Sequence, residues 1–182
     1  LAAQEKVART ESERLGAEKF NQAIRAYSEE NYQQAIPLFL AADTLIGESG
    51  LVDRVKLRFA LGSSFLETGM PEQAMGYFQW VEEQDSAYPF IHLQLAEGAR
   101  AAGRRGEALS YYRRALPKHK PQQQAAILGR ISELELKAGD IQAALQAVDR
   151  AISITPASSF YLMRGQIYDR LAQRLDHAQD RD

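Results

Sequence analysis

Apolar positions recur along the chain at helical spacing, and the whole sequence reads as helices in pairs. The pattern predicts helices over 16–29 and 32–45, 55–68 and 71–84, 89–102 and 105–117, and 122–138 and 141–154, with a lone helix over 158–173. Punctuation agrees with these bounds. Gly69, Gly103 and Gly139 stand just after predicted first helices, where a left-handed cap is wanted; Pro71 suits a first turn, and Pro89 and Pro156 fall between pairs. Pro37 conflicts with its helix unless that helix begins near Gln33, where the missing amide hydrogen would have had no partner. Residues 1–15 carry a thin apolar stripe of Val7, Ala8 and Leu15, which fits either a second helix of a preceding pair or an extension of the first helix. Leu175-Asp176-His177-Ala178 reads as the opening of a further second helix, so the chain looks like a piece of a longer array.

The pairs repeat. Four segments carry a small residue, a ring or branched residue four positions on, and a compact one three positions after that: Ala35, Phe39 and Ala42; Ala74, Phe78 and Val81; Ala108, Tyr112 and Ala115; Ala144, Val148 and Ala151. The leading alanines are separated by 39, 34 and 36 residues. The longer steps coincide with loops at Thr44 to Asp53, containing Gly47 and Gly50, and at Pro117 to Pro121. Upstream of each alanine lies the other half of the pattern, plainest in Leu61-Gly62-x-x-Phe65 and Arg164-Gly165-x-x-Tyr168. Small residues such as Gly62, Ala74 and Ala96 let two helices approach closely, and the rings fill the space to the next pair.

Together these features resemble the tetratricopeptide repeat family, whose period is about 34 residues and whose first helix carries Leu-Gly-x-x-Tyr. The resemblance implies an all-α, right-handed superhelical solenoid of antiparallel helix pairs. It divides the chain into an N-terminal helical segment (1–15), unit 1 with its long loop (16–54), units 2 (55–88), 3 (89–121) and 4 (122–156), and a partial unit 5 (157–182). It also implies a non-catalytic scaffold whose first helices line a groove for a partner peptide or helix. Carried onto this chain, the groove positions are Phe20, Ile24, Tyr27, Phe59, Ser63, Leu66, Phe90, Leu93, Glu97 and Arg100, followed by Gly129, Glu133, Leu136, Leu162, Gln166 and Asp169. That groove is apolar at its start and polar later. Relatives that clamp a C-terminal carboxylate use Lys and Asn on one first helix and Lys and Arg two units on; here Phe20, Ile24, Phe90 and Gln94 stand instead, which disfavours that clamp. Trp80 and the arginines Arg104, Arg105, Arg113 and Arg114 form a second candidate surface.

Composition narrows the chemistry. A formal charge of −2 with an isoelectric point near 6.0 gives no global pull toward nucleic acid or anionic lipid, so RNA binding through the unit 3 arginines is the minor alternative. No cysteine is present, which removes thiol nucleophiles and zinc fingers and leaves bacterial cytoplasm and periplasm both open. His92, His119 and His177 lie in different units without a second ligand at helical spacing, Gly47-Glu48-Ser49-Gly50 lacks the Lys-Ser/Thr of a phosphate loop, and no Gly-x-Ser-x-Gly elbow occurs. Neither an enzyme nor a cofactor is implied, and no apolar run is long enough to span a membrane. The competing role is a self-associating spacer joined through uncapped ends, of the kind used in bacterial envelope or polysaccharide-export machinery.

Overall fold

The computed structural model describes residues 2–47 and 50–179, with side chains over 6–7, 9–47 and 50–176. Glu48, Ser49 and the side chains of Ala8, His177 and Ala178 lie outside the described residues. The elements are α1 (Ala2–Ser28), α2 (Tyr32–Leu45), α3 (Arg54–Glu67), α4 (Pro71–Gln84), α5 (Ile91–Ala101), α6 (Arg105–Ala115), a single 3₁₀ turn (Leu116–Lys118), α7 (Pro121–Ala138), α8 (Ile141–Ile154) and α9 (Ser158–Gln179). No strand occurs among the described residues. The chain forms two compact units, Leu1–Arg104 and Arg105–Asp182, so the helices of the third predicted pair belong one to each.

The helices start where local chemistry satisfies their first amides. Asp53 accepts the Lys56 N–H at 3.1 Å to open α3, and Asp140 accepts that of Ala143 at 2.9 Å to open α8. Pro71 and Pro121, which have no amide hydrogen to leave unpaired, begin α4 and α7.

First helices end on a shared device. Glu30, Gly69, Gly103 and Gly139 all have positive φ, at 58°, 77°, 74° and 82°. At each, the next residue's N–H reaches back past the turn: Asn31 to Ala26, Met70 to Phe65, Arg104 to Ala99 and Asp140 to Glu135, at 2.8–2.9 Å. These are Schellman turns, which satisfy the last carbonyls and reverse the chain within two residues. Within the first unit α2 and α4 then fold back along α1 and α3, and within the second α8 folds back along α7.

In the first unit, α1 packs with α2, α3 with α4, and α2 and α4 each against the helix that follows. Ala35, Phe39 and Ala42 are fully buried, as are Ala74, Phe78 and Val81, so the repeat's marker residues are its core. Each buried ring contributes about 1.5–3 kcal/mol. A Cβ built on Gly62 would stand 2.8 Å from Phe78 Cε1, which is why that position holds glycine inside a helix. In the second unit, Ala144, Val148, Ile141 and Ile167 form one cluster and Ala125, Leu128 and Ala151 another. The buried Ser132 hydroxyl ties α7 to α8 by donating to the Ala144 carbonyl at 2.8 Å.

One alternative left open by the sequence is selected, and two expectations change. Residues 2–15 extend the first helix: Ser12 donates to the Leu45 carbonyl, and Gly16 lies against the Ile46 backbone, which holds the extension to the end of α2. Pro37 lies in the second turn of α2, beyond the unpaired first amides, and costs one intrahelical bond that would have gone to Gln33; it is solvent-exposed, so water can replace the bond. No second helix opens at Leu175, because α9 continues to Gln179. Ala172 occupies the position that carries the left-handed residue in the other first helices, and alanine does not favour that turn.

Candidate functional site

The groove positions of the first unit come from α1, α3 and α5. Phe20 and Tyr27 lean on the buried ring of Phe39, with centroids 6.1 and 6.3 Å away, and Tyr27 meets Tyr32 edge-on at 5.5 Å. Phe59 packs against Phe78 at 5.7 Å and Tyr88 at 4.9 Å. Ile24, Leu66 and Leu93 are half-buried like these rings, so one edge of each is committed to the core and the other reaches the surface. Ser63 is buried and its hydroxyl donates to the Phe59 carbonyl at 3.0 Å, so it offers nothing outward. Glu97 and Arg100 pair with each other at 2.7 Å.

Phe90 differs from the rest. It is 49% exposed and sits at the N-cap of α5 with φ 65° and ψ 2°, a left-handed conformation that costs a bulky residue about 1–2 kcal/mol. The segment before it fixes that geometry: Asp85 accepts the Ala87 N–H at 2.9 Å, its carbonyl accepts that of Tyr88 at 3.0 Å, and Ile91, 1% exposed, anchors the start of the helix. Tyr88 was not singled out from the sequence, being one aromatic in a connecting segment. Its ring bridges Phe59 to the entry of α5, and burial first, then the charges of Asp53 and Asp85, push its phenol pKa up.

Later positions fare differently. Gly129, expected on the open face, is buried because α9 lays Phe160 on it, with Cε1 2.8 Å from where a Cβ would stand. Glu133 and Leu136 are half-buried, and Leu162, Gln166 and Asp169 are exposed.

The second candidate surface resolves into separate contacts. Arg58 lies over the Trp80 ring, 4.1 Å from its centroid, and its guanidinium holds Asp43, which also pairs with Arg54 at 3.1 Å. Trp80 therefore closes a ladder across α2, α3 and α4. Tyr77 borders it: burial and Asp43 raise its phenol pKa, and Arg58 opposes the rise. Arg104 pairs with Glu72 in the first unit. In the second unit, Arg105 is exposed, Arg113 pairs with Glu135 at 2.7 Å, and Arg114 stands 5.5 Å from the Tyr111 ring.

His92 Nε2 lies 3.1 Å from Glu82 Oε1 in a buried pair, and His119 Nδ1 is 2.8 Å from the Ala115 carbonyl. Among the described residues no three His, Cys, Asp or Glu side chains gather as metal ligands would, and no helix is long and apolar enough to cross a membrane.

No protein-family model matches the chain, and no curated protein matches it. Solved structures do. A crystal structure of MamA protein superposes with a TM-score of 0.75 at 15% identity, covering 93% of this chain and 88% of that one. A second, MamA AMB-1, gives 0.72 at 12% identity over 88% and 85%. The nearly identical TPR-like repeats of a Podosopora anserina kinesin light chain give 0.67 at 15% identity over 92% of both chains. At such identities the likeness is one of fold: the chain has the tetratricopeptide-type helical repeat.

Proposed function

We propose that this tetratricopeptide-type chain is a non-catalytic scaffold that binds an apolar peptide or helix of a partner protein across α1, α3 and α5 of its first unit. The observation that carries the proposal is the ring series on these helices. Phe20, Tyr27 and Phe59 are anchored from behind by core rings yet keep an outer edge at the surface, and Phe90 is held half-exposed in a strained backbone conformation. Strain of this kind concentrates at functional positions, and pre-anchored aromatics make efficient contacts because little side-chain freedom remains to be lost on binding. The rings themselves offer apolar edges, so recognition through them is by shape and apolar burial.

A displayed library of random peptides, selected on the immobilised chain, tests the proposal. Selected peptides should carry two or more large apolar residues, and Phe59→Ala should weaken them by about 30-fold, the loss of one aromatic anchor worth ~2 kcal/mol. Peptides whose affinity is unchanged by both Phe59→Ala and Phe90→Ala would remove the assignment.

A second reading, self-association, has its own observation. Tyr161, Leu162, Tyr168 and Leu175 of α9 are 45–66% exposed, and Gly165 among them has nothing within 4 Å of a built Cβ. Sedimentation across a hundredfold concentration range separates the readings: a growing oligomer that Tyr168→Glu returns to monomer supports assembly, and a monomer throughout excludes it.

A further inference from the structure

The over-run of α9 creates a feature that the other first helices lack. They turn at their left-handed residue, but α9 carries Gln173 and Arg174 onward beside the turn between α7 and α8. There Arg170, Gln173 and Arg174 face Leu136, Lys137 and Ile141 across an open cleft of about 420 Å³.

Three cations line this cleft: Lys137 is paired with an acid, while Arg170 and Arg174 are not, among the described residues. Lys137 Nζ bonds Glu133 Oε1 at 2.7 Å. Arg174 spends one N–H on the Gly139 carbonyl at 3.2 Å, which holds its guanidinium over the turn. Arg170 and Arg174 have no carboxylate partner among the described residues. Asp140, the acid next to the turn, is engaged in capping Ala143, and neither Asp169 nor Asp176 of α9 bonds the arginines. Other arginines of the unit do find acids, Arg113 with Glu135 and Arg164 with Asp149.

We infer that the cleft between the α7–α8 turn and α9 binds an oxyanion, a carboxylate attached to an apolar group being the best fit. The guanidinium fork presents parallel N–H donors at the spacing of carboxylate or phosphate oxygens. The half-buried Leu136 adds apolar surface that a bare inorganic ion would not use, which favours a carboxylate-bearing peptide residue with an apolar neighbour. The site is separate from the aromatic series on α1, α3 and α5, so it stands or falls independently of that proposal.

The test is a titration of the ¹⁵N-labelled full chain, followed by amide and arginine side-chain resonances. The probes are N-acetyl-Leu-Glu-amide, its Leu-Gln analogue and inorganic phosphate. The Leu-Glu probe should shift Gly139, Arg170 and Arg174 saturably, and the neutral Leu-Gln probe should not. Saturable shifts with phosphate alone still support an oxyanion site, and identify a free ion as its occupant in place of a peptide. Arg170→Gln, at an exposed position where helicity should be retained, and Arg174→Gln should each weaken the Leu-Glu probe about tenfold or more, while Arg174→Lys should lose less. Absence of saturable shifts with both anions, equal binding of the neutral analogue, or undiminished binding by Arg170→Gln in a folded chain would overturn the inference.

Discussion

Glu30 is where the repeat departs from its own rule. It occupies the left-handed residue of a Schellman turn that three other pairs give to glycine, and a residue with a Cβ loses about 1–2 kcal/mol there. Glycine in its place would cost some of that back through the freedom it adds to the unfolded chain, about 0.5–1 kcal/mol. Glu30→Gly should therefore raise stability by about 0.5–1 kcal/mol, read as a higher urea midpoint with an unchanged slope; a lower midpoint would mean that Glu30 makes a compensating contact. The same residues show why some of the structure was legible in sequence. Gly69, Gly103 and Gly139 announce the turns because only glycine enters that conformation freely, whereas Glu30 and Phe90 adopt it without any compositional signal. Tyr88 was equally silent, since a lone aromatic in a connecting segment says nothing about which ring it will meet.

Helix pairs were the most legible level, because small residues at fixed spacing leave a visible trace of close approach. Gly62 is the clearest case: Phe78 lies so close that any side chain must displace a fully buried ring. Gly62→Val should destabilise the chain by about 1–3 kcal/mol through overpacking between α3 and α4, measured by chemical denaturation. A neutral result would show that Phe78 can relax into space the packing does not reveal. The over-run of α9 was not legible. The sequence shows the missing glycine at Ala172, but the opening Leu175-Asp176 resembles a new helix, and the two signals conflict until the backbone is seen. Gly129 misled for a related reason: its small size suits an open groove or a covering ring equally well, and Phe160 of the following helix decides between them.

For the molecule as a whole, both units rest on contacts between neighbours in sequence, so a local change is expected to act on its own pair and the next. The candidate binding face was legible only as positions on first helices. Which of those positions keep an edge at the surface depends on packing: Phe59 does and Ser63 does not, although both lie on α3. Hydrogen–deuterium exchange of the full chain, with and without a peptide selected on it, tests the central claim most directly. The account predicts added protection within 20–27, 59–66 and 88–97, and little change in α2 and α4. Protection confined to α2, α4 or α9, with those three segments unchanged, would contradict it.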